Sequence, residues 1–147
     1  MKIDYKNILK KNMINVLKEV LLNIEKNGIQ EGHHLYITFD TNNINTNIPS
    51  WLKNKFPKEM TIVIQYEYWD FKVKKDLFNI SLSFDDVKTN LEISYNSVIS
   101  FADPFANFGL RLIQEELSIK KNESKKTPKK KKINKDNVID FTNYVKN

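Results

Sequence analysis

Two pairs of residues in this sequence could, by type and spacing, form a metal site or an acid–base pair. His33 and His34 are the only histidines, and Asp85 and Asp86 are adjacent carboxylates. Neighbouring residues on a strand point to opposite faces, so the histidines cannot bind one metal ion together and are expected at a surface or strand entry. Aspartate is common in tight turns, which favours a turn at Asp85 and Asp86. The sequence also contains no phosphate-binding glycine loop and no assembled nucleophile, base and oxyanion hole, so we expect no metal, no cofactor and no enzyme activity.

A dense set of aromatic and amide side chains suggests binding rather than catalysis. Gln65 is followed by several aromatic residues, and a second aromatic group lies between Phe101 and Phe105. Gln65 should lie on the strand face opposite Ile62 and Ile64, where an amide can hydrogen-bond a peptide backbone. The alternative is a solvated sheet face with most of these aromatic residues in the core. The pattern alone leaves both interpretations open.

The first element that must position these residues is an amphipathic helix. Apolar residues recur at three- and four-residue steps from Tyr5 to Lys26, and Asp4 and Gly28 are suited to begin and end the helix. Ile14 and Leu22 widen its apolar face beyond what contact with one sheet requires. We therefore expect a homodimer that forms through this helix.

After the helix the apolar period changes to two, which predicts strands. Strands are expected at residues 35–39, 60–66, 78–84 and 87–95, and two shorter ones at 71–73 and 108–112. Asp85 and Asp86 form the turn within one hairpin, and a helical turn from Pro49 to Phe56 is expected to hold Trp51 and Phe56 over the sheet. The predicted fold class is α+β, with one helix followed by an antiparallel, partly closed β-barrel or sandwich of about six strands.

The distribution of charge divides the chain into a domain and a tail. The 147 residues carry a net charge of +6, yet residues 1–117 are nearly neutral, so most of the basic excess belongs to the remainder. We predict one domain at residues 1–117, a disordered basic linker at 118–136 that is too polar to fold, and a C-terminal motif at 137–147 where apolar residues return. No cysteine is present, as expected in a reducing compartment, and no apolar run is long enough to span a membrane. We therefore expect a cytoplasmic protein without a membrane partner.

Several stretches of the sequence, taken in their order along the chain, resemble a known protein family. They are His33 to Phe39, Ile48 to Pro57, Glu59 to Gln65, Tyr68 to Asp70, Phe78 to Phe84, Phe101 to Pro104 and Phe108 to Leu110. In this order they resemble the stringent starvation protein B (SspB) family in its alpha-proteobacterial form. The resemblance implies a dimeric adaptor of Sm-like β fold that binds the ssrA degradation tag and delivers tagged proteins to the ClpXP protease.

The resemblance also implies two sets of binding residues. The peptide-binding set is Gln65, Tyr66, Phe101, Ala102, Asp103 and Phe108. The set that would dock on the N-terminal domain of ClpX is Val138, Ile139, Phe141 and Tyr144. The docking motif departs from the family's usual form, with Phe141 for a leucine, Tyr144 for a phenylalanine and Val145 for a basic residue.

The alternative function is a small β-barrel RNA-binding module with a lysine-rich tail. Against it, the predicted domain is not basic, and the apolar end of the tail would have no role. We therefore expect peptide and protease partners rather than nucleic acid.

Overall fold

Helix α1 spans Tyr5–Asn27 in the computed structural model, which describes residues 2–112. The Asp4 carboxylate accepts a hydrogen bond from the Asn7 N–H at 3.2 Å and caps the first turn. Gly28 ends the helix with φ of 81°, a conformation that favours glycine, and its N–H donates to the Ile24 carbonyl at 2.7 Å. Both predicted ends of the helix are therefore confirmed.

Seven strands follow α1 within the described residues, and all their pairings are antiparallel. They are β1 Leu35–Asp40, β2 Glu59–Ile64, β3 Trp69–Val73, β4 Leu77–Phe84, β5 Val87–Ser94, β6 Val98–Asp103 and β7 Phe108–Arg111. Sheet A has the order β2-β1-β6-β7 and sheet B the order β3-β4-β5. A short helix, α2, spans Ser50–Lys55 between β1 and β2. The predicted α+β class, with sheets that do not close fully, is confirmed.

Strand β6 is the strand that the sequence pattern did not predict. It lies in the middle of sheet A, between β1 and β7. Four of its six residues are buried, including both Phe101 and its neighbour Ala102. A strand covered on both faces loses the alternation of apolar and polar residues by which strands are recognised. The count of about six strands was therefore one too low.

The core lies between α1 and the two sheets. Helix α1 buries Met13, Leu17, Leu21 and Ile24, which form one apolar cluster with residues of both sheets. Two polar contacts fix the helix over sheet B. The Val73 N–H donates to the Glu25 carboxylate at 3.1 Å, and Lys18 Nζ donates to the Lys75 carbonyl at 2.9 Å. Edge strand β3 and the turn that follows it are therefore held by the helix.

The turn between β4 and β5 is formed by Asp85 and Asp86, as predicted. Both residues have positive φ angles, 53° and 66°, and Phe84 pairs with Val87 on either side of them. These angles match the two-residue hairpin turn whose twist suits antiparallel strands. Lys55 Nζ of α2 lies 2.6 Å from an Asp85 oxygen. These carboxylates therefore have a structural role.

Of the two residues predicted to anchor helix α2, Phe56 packs against the core and Trp51 does not. Trp51 is 41% exposed, whereas Leu52 is fully buried and Phe56 packs against the core. Adjacent residues of an α-helix lie about 100° apart around its axis, so only one of Trp51 and Leu52 can face the sheet. The prediction that Trp51 anchors the turn was wrong.

The register of α1 can be tested with two adjacent leucines. Leu21 is fully buried, whereas Leu22 is 45% exposed. Leu21→Ala should lower the free energy of unfolding by about 2–5 kcal/mol, because it leaves a cavity in the core. Leu22→Ala is the matched control and should cost less than about 1 kcal/mol. Urea denaturation followed by circular dichroism measures both, and equal losses would contradict the observed register.

Candidate functional site

The residues predicted for peptide binding lie at one end of sheet A in two groups. Gln65 and Tyr66 directly follow β2, whereas Asp103 ends β6 and pairs with Phe108 at the start of β7. Strand β1 lies between the groups, because the sheet order is β2-β1-β6-β7. Two strand spacings separate them, or roughly 10 Å. The groups share an end of the sheet without forming one pocket.

The first group combines a half-buried amide with an exposed ring. Gln65 is half-buried, and its side chain makes no hydrogen bond to another residue within 2–112. Val63 is also half-buried while Ile62 and Ile64 are buried, but β2 ends at Ile64, so Gln65 and Tyr66 lie just beyond the strand that was predicted to include them. Tyr66 is 72% exposed. An amide that can both donate and accept, beside an accessible aromatic ring, suits recognition of a peptide backbone and one side chain.

Strand β2 adds a second means of recognition to the first group. It pairs with β1 on one side and, within the part of the chain that the structure describes, with no strand on the other. The outward N–H and C=O groups of an edge strand can pair with an added extended chain. The Gln65 side chain lies at the end of this edge.

The second group lines an apolar groove between α1 and the ends of β6 and β7. We call it the apolar groove; its volume is about 680 Å³, and its apolar wall includes Val16, Val20, Ile24, Leu35, Phe101 and Phe108. Phe101 is only 1% exposed and forms the floor, with its ring centroid 5.9 Å from that of Phe108. Ala102 is fully buried and lies on the opposite strand face from Phe101. The groove therefore contains Phe101, Asp103 and Phe108 but not Ala102.

Asp103 has structural partners that the sequence pattern did not indicate. One carboxylate oxygen lies 2.7 Å from His33 Nδ1, and the other accepts a hydrogen bond from the Ala106 N–H at 3.3 Å. The His33 ring packs edge-on against Phe105, with centroids 4.6 Å apart. These contacts join the loop before β1 to the connection between β6 and β7, at the mouth of the apolar groove. His33 is thus a half-buried residue before a strand, as the sequence predicted.

The sequence pattern also missed the contribution of α1 to this region. Val16 is 40% exposed, and Val20 is half-buried beside it. Both belong to the apolar stripe, but periodicity alone does not separate residues that reach the core from residues that line a groove. The sequence placed the extra width of the apolar face at Ile14 and Leu22, which lie on the other flank of α1, so it did not point to Val16 and Val20.

Three further predictions concern metal binding, membrane spanning and the C-terminal segments. Among residues 2–112, no group of three or more His, Cys, Asp or Glu could hold a metal ion. No helix in that part of the chain is long and apolar enough to cross a membrane. The linker at 118–136 and the docking residues Val138, Ile139, Phe141 and Tyr144 lie outside the described residues.

Comparison with known proteins gives one family. The family described as Stringent starvation protein B matches residues 8–143, which covers α1 from its second turn, both sheets and most of the sequence after them. A search of curated proteins found no match to the chain. The match includes all the residues predicted for peptide binding and for docking.

The structural role of Asp103 gives a prediction on stability. Asp103→Ala should lower the free energy of unfolding by about 1–2 kcal/mol, because the Ala106 N–H loses its cap and His33 loses its partner. Asp103→Asn keeps an acceptor for Ala106 and should cost less. Thermal or urea unfolding of the two variants measures the difference. An Asp103→Ala variant as stable as the wild type would show that these hydrogen bonds do not hold the loop.

Proposed function

The chain belongs to the stringent starvation protein B family, and on that basis we propose that it binds ssrA-type degradation-tag peptides and tethers tagged proteins to the ClpXP protease. Family membership supports an adaptor role in ClpXP-related proteolysis, and the family is not a catalytic one. The match over residues 8–143 is the observation that carries the proposal.

The proposed position of the tag peptide is the Gln65 end of β2. Three features support it: the exposed ring of Tyr66 and, within residues 2–112, a Gln65 amide without a hydrogen bond to another residue and an edge of β2 without a partner strand. An extended peptide added along this edge would gain main-chain hydrogen bonds, while Gln65 would bond a backbone group that the strand edge does not reach. The apolar groove is less suited to a polar backbone, because apolar side chains form most of its wall.

Gln65 provides the test of this position. Gln65→Ala should weaken binding of an ssrA-type peptide by about 1–2 kcal/mol, which corresponds to roughly 5- to 30-fold, because a peptide group is left unsatisfied. Fluorescence anisotropy of a labelled peptide measures the affinity, and urea denaturation confirms that folding is intact.

Gln30→Ala is the matched control, because Gln30 is also a glutamine but lies beside the apolar groove. Unchanged affinity for Gln65→Ala would remove Gln65 from the site. A loss for Gln30→Ala alone would place the peptide in the apolar groove.

The C-terminal part of the chain is proposed to be a tether with an anchor. Residues 118–136 are rich in lysine and polar residues, whereas Val138, Ile139, Phe141 and Tyr144 are apolar. A flexible linker of this length spans roughly 22–26 Å, enough to separate a docked anchor from a loaded domain. Tethering makes capture by the protease intramolecular, so it acts through effective concentration rather than chemistry. The proposed partner of the anchor is the N-terminal domain of ClpX.

Truncation separates the anchor from the peptide site. Deleting residues 137–147 should abolish the stimulation of ClpXP turnover at low concentrations of tagged substrate, because delivery loses its second contact. Binding of the tag peptide should not change. Replacing Lys129 to Lys132 with serine is the control and should leave delivery nearly unchanged. If the same variant loses a steeply salt-dependent affinity for RNA, the lysines bind nucleic acid instead. Equal delivery by truncated and full-length chains would refute the anchor.

A homodimer is proposed to form through the side of α1 that borders the apolar groove. Tyr5, Leu9 and Val16 are 72%, 45% and 40% exposed, and they lie along one side of the helix beside half-buried Val20. A second copy of α1 would cover this apolar stripe and the groove together. Ile14 does not belong to this surface, because it packs against the core of its own chain.

Val16 is therefore the residue with which to test the dimer. Val16→Lys should shift the protein to monomer, because the interface would bury an unpaired charge. Leu22→Lys is the control, since Leu22 has similar exposure but does not line the groove. Sedimentation velocity at about tens of micromolar, a concentration at which weak assemblies form, measures the oligomeric state of both variants. A monomeric wild type at these concentrations would refute the dimer.

A further inference from the structure

A larger depression lies on the other side of α1 from the apolar groove. We call it the basic cleft; its volume is about 1510 Å³. Its walls are the first half of α1, the loop after β1, the turn between β3 and β4, and the end of β7. At 100° per residue, Lys11 and Lys18 lie on the side of α1 opposite Val16 and Val20. The volume exceeds that of most small-molecule pockets and suits an extended segment of chain.

The basic cleft is remote from the proposed tag site. Strands β1 and β2 end at the cleft, where Asp40 pairs with Glu59. Leu35 and Ile64 pair at the other end of the same strands, next to Gln65. Five residue steps along a strand separate the two ends, or roughly 17 Å. A ligand in the cleft would therefore not occupy the Gln65 end.

Positive charge is concentrated in the cleft. The described residues contain 14 Lys and Arg and 13 Asp and Glu, so the domain is nearly neutral. The cleft is lined by six of these cations against three carboxylates. The cations are Lys10, Lys11, Lys18, Lys58, Lys75 and Arg111, and the carboxylates are Asp40, Glu59 and Asp76. A concave surface with one prevailing sign of charge raises the local concentration of ligands of the opposite sign.

Four of these cations have no acidic partner within residues 2–112. Lys11, Lys58, Lys75 and Arg111 are exposed and form no salt bridge there. Lys18 is engaged differently: its Nζ donates to the Lys75 carbonyl and lies 5.5 Å from the centroid of the Tyr95 ring. Burial raises the pKa of Tyr95 to about 12, and its phenol is neutral at neutral pH, as that of a free tyrosine is.

Amide side chains between the cations indicate which kind of anion would fit. Asn15, Asn43 and Asn96 line the cleft, and an amide offers both donors and an acceptor, as a peptide backbone requires. Asp40, Glu59 and Asp76 would repel a continuous row of phosphates but can lie between the spaced carboxylates of a peptide. We propose that the basic cleft binds an extended acidic peptide segment, at a site separate from the one for the tag. The proposal stands whether or not the Gln65 end binds a tag.

The test uses the full chain and two fluorescein-labelled peptides. One peptide contains serine, glycine, aspartate and glutamate, and the other replaces the acidic residues by asparagine and glutamine. At low ionic strength the acidic peptide should bind and the neutral one should not. The Lys58→Glu, Lys75→Glu double variant should weaken binding of the acidic peptide at least about tenfold, because it reverses two cations of the cleft. Lys53→Glu, Lys72→Glu is the matched control and should have little effect, since both lysines are exposed outside the cleft.

Two further variants separate the cleft from the other basic or binding segments. Replacing Lys129 to Lys132 with serine should leave the affinity for the acidic peptide nearly unchanged, and loss of binding in that variant alone would assign the binding to the tail and overturn the proposal. Gln65→Ala should also leave it unchanged, so failure of the tag site and failure of the cleft can be distinguished. Tighter binding of an oligouridylate than of the acidic peptide, lost in the Lys58→Glu, Lys75→Glu variant, would make the cleft a nucleic-acid site and refute the peptide ligand.

Discussion

The burial of one stripe of helix α1 is the contact on which the rest of the structure depends. Sheets A and B are both open, and their inner faces need a third element to exclude water. Met13, Leu17, Leu21 and Ile24 supply it, and each such side chain contributes about 1.5–3 kcal/mol when buried. The helix also satisfies the Val73 N–H on edge strand β3 through the Glu25 carboxylate. Without α1, the core and the edge of sheet B would both be exposed.

The same contact determines where ligands can approach. Because the middle of the stripe is buried, the two flanks of α1 become walls of surface depressions. On one flank, Val16 and Val20 face the apolar groove. On the other, Lys11 and Lys18 face the basic cleft. One helix therefore separates an apolar surface from a charged one, and the periodicity of its sequence fixes which residues lie on each side.

Local patterns predicted the elements well, because they depend on neighbouring residues. The cap at Asp4, the end at Gly28 and the turn at Asp85 and Asp86 follow from the chemistry of single residues and were confirmed. Strand β6 was missed because it has buried residues on both faces, which removes the alternation that marks a strand. The two groups of site residues could not be separated from sequence, because that separation depends on β1 lying between β2 and β6. The contact between Asp103 and His33 could not be predicted from local patterns either, because it joins residues that are 70 positions apart.

An adaptor must hold several partners at once, and the geometry of this domain suits that requirement. The end of β2 at Gln65, the apolar groove and the basic cleft lie on different parts of the surface, so occupation of one leaves the others open. If two weak contacts hold the same client, the second is made at the effective concentration set by the first, and the combined affinity exceeds either alone. On the proposed function, the domain would therefore select its clients by the spacing of several modest sites. Within residues 2–112 the sheets determine this spacing, because all three surfaces lie at the ends or edges of their strands.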